Sequence, residues 1–458
     1  MITLRNLAAH LERRGGAWSL VERVQDIAFA AEQPARQRRA HRTRLTLIVH
    51  QDVPRGRGTA RVELDPLDAS PGDVVDQAIA LALATIGPAW TSTPPAAPAK
   101  VDLVDPDLIK RELDAVAAGT LARLRRPDGV TTTAAVTALR EKVTVIAGSG
   151  FHATWLATSL RGDAVLAAGD HRLAVSRQAR RTDDFDLDAA LADAAADLAL
   201  LAAAGPPSPG PCALWLGPDA LLPGTGDDAA GASAAAAGTR DHGLWTIFAL
   251  QADAAVERQG LTRYRLRAEV ARGASQLAEP LSITSNGALD FAALSVPVTD
   301  DAVAIRSFPL IDRGIAIGLG LSPREAALRH TDPNGGVRNL IVAPGTWSPG
   351  PAAASDGGPG GPAPGGPAAA AAGRTLELRR LHAVDIDPYT GEATLDIALG
   401  LEHRPGRPAS AAVPFTGGTI RLDLIAALAH ARRSSQLLRR GGYHGPAAIL
   451  IDAAELIA

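Results

Sequence analysis

The chain has 458 residues, of which 46% are hydrophobic and 21% are charged, and its formal net charge is −3. This composition is typical of a globular protein of two or three domains, and the near-neutral charge argues against nucleic acid or an acidic membrane as a partner. The single cysteine, Cys212, excludes an intrachain disulfide and a thiolate metal cluster, and its apolar neighbours predict a buried side chain.

The N-terminal segment predicts an amphipathic helix over residues 1–14, ended by Gly15-Gly16. Charged residues interrupt it, so it lacks the apolar core of a signal peptide. No stretch of the sequence approaches the roughly 20 apolar residues of a membrane span. We therefore expect a cytoplasmic protein.

The next elements are strands followed by a helix. Residues 18–33 fit either a helix or a strand, whereas the alternation over residues 42–53 predicts a strand, with its hairpin partner at 58–67. The segment Ser70-Pro71-Gly72-Asp73 predicts a helix start, because it combines an N-cap, a first-turn proline and an early acidic residue. That helix is expected to end near Thr85.

A short linker at residues 91–100 separates these elements from a second group. Residues 141–170 show β periodicity, with turns predicted at 148–150 and 161–163. Residues 184–205 predict a helix that is acidic at its start and closed by a glycine.

The proline-rich segment 206–211 marks the predicted domain boundary. Beyond it, two segments of low complexity occur at residues 224–240 and 348–373. The second is too poor in large apolar side chains to form a core and is predicted to be a mobile loop.

The second half is predicted to be richer in strands. Period-two patterns occur at residues 261–273, 302–321 and 376–403. Residues 421–440 predict the last helix, stopped by Gly441-Gly442.

A rapid succession of short elements occupies the middle of this half. Asp312-Arg313-Gly314 predicts a turn between two strands, and Ser322-Pro323 predicts a helix start. Asn334-Gly335 then predicts a tight turn, followed by a strand over Val337 to Val342.

A search for catalytic residues gives no active site from the sequence alone. The histidines show no His-Glu-x-x-His or His-Glu-x-x-x-His spacing, which would place two imidazoles on one face of a helix. His242 and His382 have the most suggestive neighbours, but lone histidines are more often structural or exposed. Ser149 lies near His152, yet it lacks the strand, elbow and helix of a hydrolase and is better explained as part of a turn.

The order of motifs in the second half resembles the TldD/PmbA family. Its members have an Asp-Asp before a strand, a V-L-I-x-N-G hairpin, a Y-T-A-R-K-L-G helix and an N-L-x-V-x-P-G strand, followed later by V-N-P-x-T-G-D-x-S and P-V-x-G-x-T-I-x-G-x-L. The corresponding segments here are Asp300-Asp301, Pro309 to Gly314, Ser322 to Leu328, Asn339 to Gly345, Asp387 to Glu392 and Pro414 to Leu424. Residues 148–155, 180–201 and 212–222 resemble the domain junction of the family.

This resemblance implies an α+β fold with an N-terminal α/β domain, residues 1–205, and a C-terminal β-rich domain with an antiparallel sheet, residues 206–458. The family is a protease of two related subunits. One subunit, the TldD type, carries a His-Glu-x-x-x-His zinc helix after an L-G-P-E-A turn, and the TldE (PmbA) type lacks it. Here the turn is "LGPDALL" at 216–222, and no such helix follows.

The chain is thus similar to the metal-free subunit, with no cofactor of its own and zinc in a TldD-like partner. The implied substrates are small or unfolded peptides. They include a leader peptide or a carrier conjugate in biosynthesis, because "ATLDIALGLEH" replaces the usual Ser/Gly-rich strand and the insertion 348–373 is extra.

The candidate substrate-binding residues are Thr390, Gly391, Gly417, Gly418 and His382. Glycines beside a groove let two backbones approach closely, as strand addition of a peptide requires. The plainer alternative is that these glycines are ordinary turn residues.

Two other functions remain open from the sequence. The chain could be a non-catalytic homodimer that holds a peptide without cleaving it. It could also be a free-standing enzyme that uses His242, His382 or Ser149.

Overall fold

The computed structural model describes residues 2–33, 35–64, 70–92, 94–223, 240–348, 373–405, 407–408 and 411–457. The two low-complexity segments predicted at 224–240 and 348–373 lie almost entirely outside the described residues.

Helices and strands are numbered here in chain order. The helices are α1 Leu4–Arg14, α2 Pro71–Ala84, α3 Pro106–Lys110, α4 Leu113–Arg123, α5 Leu187–Leu201, α6 Pro218–Leu221, α7 Thr246–Gln251, α8 Ala254–Arg258, α9 Pro323–Leu328 and α10 Leu424–His430. The strands are β1 Ala17–Glu32, β2 Ala35–Val53, β3 Gly56–Leu64, β4 Ile86–Gly87, β5 Thr131–Ala147, β6 His152–Ala168, β7 His171–Ala179, β8 Gly210–Leu216, β9 Ile283–Asn286, β10 Ser307–Asp312, β11 Ile315–Ala316, β12 Asn339–Val342, β13 Thr375–Ile386, β14 Glu392–His403, β15 Val413–Phe415, β16 Thr419–Asp423, β17 Arg432–Arg433, β18 Leu437–Arg440, β19 Tyr443–Pro446 and β20 Ile449–Ile457.

The first half forms one antiparallel sheet in the order β4-β3-β2-β1-β5-β6-β7. The segment that fitted either a helix or a strand is the strand β1, which pairs along almost its whole length with β2 on one side and β5 on the other. Because side chains alternate along a strand, β1 has two distinct faces. Leu20 and Leu47 of β2 pack against α1 and α2, whereas Val21 and Val143 of β5 pack against Val298 of the second half.

The second half contains two sheets. One has the order β11-β10-β9-β12-β19-β18, and the other has the order β13-β8-β20-β16-β14-β15, with β17 paired to β20. Most pairs are antiparallel, but β12 with β19 and β13 with β8 are parallel. A continuous core that includes Trp245, Phe248 and Tyr443 joins the two sheets. The predicted α+β class is confirmed.

Most of the predicted elements are present. Helix α1 ends at Gly15, which has a φ of 71°, and α2 begins at Pro71 after Ser70. Helix α9 is capped by Ser322, whose Oγ accepts a hydrogen bond from the amide of Glu325. Cys212 is fully buried, and burial raises the pKa of its thiol to about 11.

The turn predicted at residues 161–163 is wrong. Strand β6 runs through Gly162, which pairs with Val136 of β5 and with Arg177 of β7. A Cβ at Gly162 would lie 2.5 Å from Leu187 and 2.7 Å from Phe185. The glycine therefore allows α5 to approach the sheet and does not mark a turn.

Two elements of the second half also differ from their prediction. Residues 261–273 form no strand, because side chains bind their backbone: Gln251 accepts hydrogen bonds from the amides of Arg263 and Tyr264. The last helix, predicted over 421–440, ends at His430 and gives way to β17 and β18. Arg433 is buried, and its guanidinium donates to the carbonyls of Ala343, Glu279 and Pro280.

No helix within the described ranges is long and apolar enough to cross a membrane.

Candidate functional site

An open cavity of about 730 Å³ lies where the first sheet meets the second half. Both halves contribute to its lining, with Arg23 of β1 and Arg61 of β3 on one side and residues 299–301 and 335–338 on the other. This is the size range of small-ligand sites, which usually form where structural units meet.

A tight turn carries Asp300 and Asp301 into this cavity. The amide of Thr299 donates to the carbonyl of Val303, and Ala302 has a φ of 59°. Ala302 also packs on the first sheet beside Val298, which holds the turn in place.

Asp300 joins the two halves of the molecule. Its Oδ1 accepts a hydrogen bond from Arg23 Nη2 at 2.7 Å, and its Oδ2 accepts one from Arg61 Nη2 at 2.7 Å. Burial alone would raise the pKa of this carboxyl, but the two arginines lower it below its ordinary value. Asp300 is therefore an ionised, fully engaged carboxylate.

Asp301 has the opposite environment. Its carboxyl group has no hydrogen-bond partner among the residues described. Burial, together with the neighbouring charge of Asp300, raises the pKa of Asp301 to about 6. Near neutral pH this group can exchange a proton or accept a hydrogen bond from a ligand.

Arg338 lies between the turn at Asn334-Gly335 and strand β12. The turn is fixed by Asn334, whose Oδ1 accepts from the amides of Leu321 and Gly336 and whose Nδ2 donates to the carbonyl of Leu319. The φ of Gly335 is 86°, as the Asn-Gly sequence predicts.

The backbone and stem of Arg338 are held from several sides. Its amide donates to Ser285 Oγ at 2.9 Å, and its Nε donates to the carbonyl of Gly335 at 3.2 Å. Its two terminal nitrogens make no hydrogen bond or ion pair with a described residue, although the charge of Asp300 acts on the guanidinium. Burial lowers the pKa of Arg338, although a guanidinium stays charged in proteins.

His242 completes this group from a 3₁₀ turn that precedes α7. The ring is buried, with Nε2 lying 2.8 Å from the carbonyl of Arg338, so Nε2 carries the proton and donates. Nδ1 has no hydrogen-bond partner. Burial lowers the pKa of His242 to about 4, and the neutral ring thus presents a lone pair at Nδ1.

Together these side chains offer a ligand both donors and acceptors. Arg338 can donate to a carbonyl or carboxylate oxygen, and Asp301 can accept from N–H groups, whereas His242 Nδ1 is buried and holds its place beneath the cavity surface. Such a pattern matches a peptide backbone or terminus, which carries both kinds of group. Within the described part of the chain, no three His, Cys, Asp or Glu side chains are grouped so that they could hold a metal ion.

The candidate substrate-binding residues from the sequence lie elsewhere, on the sheet that contains β14. Thr390 is exposed in the turn before β14, and Gly391 accepts a hydrogen bond from the amide of Leu424. A Cβ at Gly391 would lie 2.6 Å from Ile425, so its small size permits packing against α10.

Gly417 and Gly418 lie beside a different part of strand β14 in the same sheet. They bond to the backbone of Ile397, whereas Gly391 precedes the first residue of β14. Six positions along a strand correspond to about 20 Å, so the structure does not bring these glycines together. His382 is exposed on β13, and neither it nor Ser149, exposed in the β5–β6 turn, lines the cavity.

Sequence reasoning missed Arg23, Arg61, Asp301 and Arg338 as a group. In the sequence, Asp300-Asp301 was noted only as one motif of the family resemblance. Arg338, between the Asn334-Gly335 turn and β12, showed no feature that indicated a functional role. No pattern in the sequence relates β1 and β3 to residue 300, because the connection is made only by the folded chain.

Comparison with solved structures gives full-length matches, three of which are described here. The chain matches a proposed modulator of DNA gyrase from Bacteroides thetaiotaomicron with a TM-score of 0.69 and 12% identity, over 100% of this chain and 99% of the other. A second proposed gyrase modulator, from Thermotoga maritima, gives 0.70 and 14% over 99% of both chains. TldE from Thermococcus kodakarensis gives 0.68 and 14% over 99% of this chain and 100% of the other.

The chain has the TldE fold. The resemblance found in the sequence is therefore confirmed at the level of the fold. No protein-family model matches the chain, and comparison with curated proteins finds no match. In this chain, the TldE fold places Asp300-Asp301 and Arg338 around one cavity.

Proposed function

We propose that the chain is the metal-free, TldE-like subunit of a heterodimeric zinc peptidase and that its cavity binds part of the peptide substrate. The observation that carries the proposal is the pair of groups in the cavity that have no hydrogen-bond partner, the Arg338 terminal nitrogens and the Asp301 carboxylate, in a chain with the TldE fold. The sequence supports the metal-free role, because it contains no His-Glu-x-x-x-His segment.

In this proposal the chain binds and orients the peptide. Arg338 donates to a carbonyl or carboxylate of the substrate, while Asp301 accepts from its N–H groups. Holding the substrate in one orientation supplies much of the advantage of an enzyme over free reactants. Zinc in a TldD-like partner would supply the Lewis acid that polarises the scissile carbonyl and activates water.

The substrate would be a small or unfolded peptide, since a cavity of this volume admits a short extended segment rather than a folded domain. A leader peptide or a peptide joined to a carrier in a biosynthetic pathway fits this requirement. The reaction would take place in the cytoplasm.

One observation favours the alternative of a non-catalytic, homodimeric peptide-binding protein. The cavity is formed within a single chain, so binding of a peptide does not depend on a zinc-bearing partner.

Co-expression separates the two functions. The chain is produced with a His-Glu-x-x-x-His homologue encoded beside it, and the two are tested for co-purification and for cleavage of an unstructured peptide. We expect a stable complex that cleaves only when both chains are present. If the zinc-bearing chain cleaves equally well alone, the subunit role is wrong; a homodimer that binds the peptide would then support the alternative.

A further inference from the structure

A row of arginines extends from the cavity along the long β1–β2 hairpin. Arg38, Arg42 and Arg44 of β2 are exposed and are called here the arginine face. None of the three has an ion pair or hydrogen bond to a described residue. Arg36, next to the turn of the hairpin, borders a separate cavity beside α4.

The pairing of the strands shows that the arginine face and the cavity lie on the same side of the sheet. Arg44 pairs directly with Arg23, and directly paired residues of an antiparallel sheet point to the same face. Arg61 pairs with Ile48, which is four residues from Arg44 along β2, so both side chains point to the same face of the sheet. Arg23 and Arg61 line the cavity, so the arginine face continues its wall outward.

The charge of this surface is little compensated. On this face of the neighbouring strands, Glu63 of β3 forms an ion pair with Arg61, and Glu141 of β5 accepts a hydrogen bond from Gln25. On the opposite face, by contrast, Arg39 pairs with Glu112, and His41 contacts Asp26. Arg38, Arg42 and Arg44 on the cavity side thus lack a carboxylate partner among the described residues, unlike Arg39 on the opposite face.

The spacing of the arginines fits an extended polypeptide. Arg42 and Arg44 are two residues apart on one strand, or about 7 Å, the spacing of alternate side chains in an extended peptide. Between Arg38 and Arg42, the partly buried Phe29 and Ile27 of β1 give an apolar floor. Three cations are too few for the many phosphate contacts that usually bind nucleic acid.

We propose that the arginine face binds acidic residues of the peptide substrate and guides the chain of the substrate into the cavity. This inference rests on the proposed function in one respect, that the cavity receives a peptide. It adds the chemical class: segments with glutamate or aspartate at alternate positions bind in preference to neutral ones. Complementary charge acts chiefly on selectivity and on the rate of association.

The test uses the isolated full-length chain and fluorescence anisotropy. The probes are a labelled peptide of alternating glutamate and threonine and its glutamine–threonine counterpart. We expect the acidic peptide to bind about tenfold more tightly at low salt, since several exposed ion pairs each contribute modestly. The difference should shrink at physiological ionic strength, where screening is strong.

Matched variants locate the binding surface. The variant R38Q/R42Q/R44Q should lose about tenfold in affinity for the acidic peptide. The control R5Q/R13Q/R172Q removes the same charge from exposed arginines outside the hairpin and should bind as the parent does. Thermal unfolding checks that both variants are folded.

Equal binding of the two peptides, or an equal loss in the control, would overturn the inference, as would tighter binding of a single-stranded oligonucleotide. Because no zinc partner is present in this assay, its result is independent of cleavage. Arginine-dependent binding with no cleavage by the complex would overturn the subunit role alone.

Discussion

Two of the charged contacts between the halves of the molecule, one around Asp219 and one around Asp300, use the same residue types in different ways. Around Asp219 of α6, the carboxylate is shared among Arg177, Arg380 and Arg440. In the cavity, Asp300 is shared in the same manner, but its neighbours Asp301 and Arg338 keep atoms without partners.

The difference separates a structural contact from a binding site. A buried carboxylate surrounded by arginines is stabilised only while the set is complete, so the Asp219 cluster holds the halves together. Unpartnered polar atoms have a desolvation cost that a ligand can remove. The comparison predicts that loss of the Asp219 charge destabilises the fold, whereas loss of an unpartnered charge in the cavity weakens ligand binding without destabilising the fold.

The largest effect is expected for Asp219→Asn. Removing this charge leaves three largely buried guanidiniums without their shared partner, at a cost of about 3–5 kcal/mol in the free energy of unfolding. Denaturant unfolding measures the change. The control Asp76→Asn breaks an exposed pair with Arg14 and should change stability by less than about 1 kcal/mol. Similar values for both variants would contradict the structural role of the cluster.

Arg338→Gln is expected to act on binding. Loss of a charge-assisted hydrogen bond should weaken binding of a short peptide by roughly tenfold to a hundredfold. Stability should change by no more than about 1 kcal/mol, because the side chain loses only the long hydrogen bond from Nε to the carbonyl of Gly335 and its terminal nitrogens have none to lose. Arg306→Gln, at an exposed pair with Asp332, serves as the control in the same titration. Unchanged affinity in Arg338→Gln would show that the cavity does not bind the peptide through this residue.

Asp301→Asn should alter the dependence of stability on pH. The pKa of Asp301 is raised to about 6, so its favourable contribution is complete below the pKa of the unfolded chain and is lost as pH rises through 6. The variant should therefore be more stable than the parent at neutral pH, by on the order of 2 kcal/mol, and nearly equal at pH 4. Unfolding series across this range measure the difference. A constant difference at all pH values would rule out titration of Asp301 as its cause.

Gly417→Ala should give the smallest effect and tests the groove predicted from the sequence. The φ of Gly417 is 85°, so an alanine is strained by about 1 kcal/mol, although nothing would contact its Cβ. Gly205→Ala, with equal space and no positive φ, is the control and should be neutral. Peptide binding by Gly417→Ala should match the parent. Weaker binding would instead support the predicted role of Gly417 in contacting substrate.

Local signals in the sequence were sufficient for much of the fold. The helix start at Ser322-Pro323, the turn at Asn334-Gly335 and the hairpin of β2 with β3 depend on neighbouring residues, so propensity and periodicity reveal them. The errors arose where distant residues decided the local structure. Arg433 is in an extended segment because three remote carbonyls bind its guanidinium, and Gly162 is set by the packing of α5.

The candidate site was less predictable for the same reason. Asp300 and its partners Arg23 and Arg61 are separated by more than 200 positions in the sequence, and only the folded chain brings them together. A resemblance of motifs located Asp300-Asp301 without giving a reason for the pair. The division into domains near residues 206–211 and the roles of Thr390, Gly391, Gly417, Gly418 and His382 remain predictions.

Successive side chains of the central strand β1 point alternately to the two faces of the first sheet. Its even-numbered positions, such as Leu20 and Ala28, are covered by helices, while odd-numbered Val21 and Arg23 look toward the second half. The parity of a position along this strand thus predicts the effect of a substitution there. Substitutions at even-numbered positions should impair folding, and substitutions at odd-numbered positions near the cavity should impair ligand binding. Deep mutational scanning of a single strand would display that alternation directly.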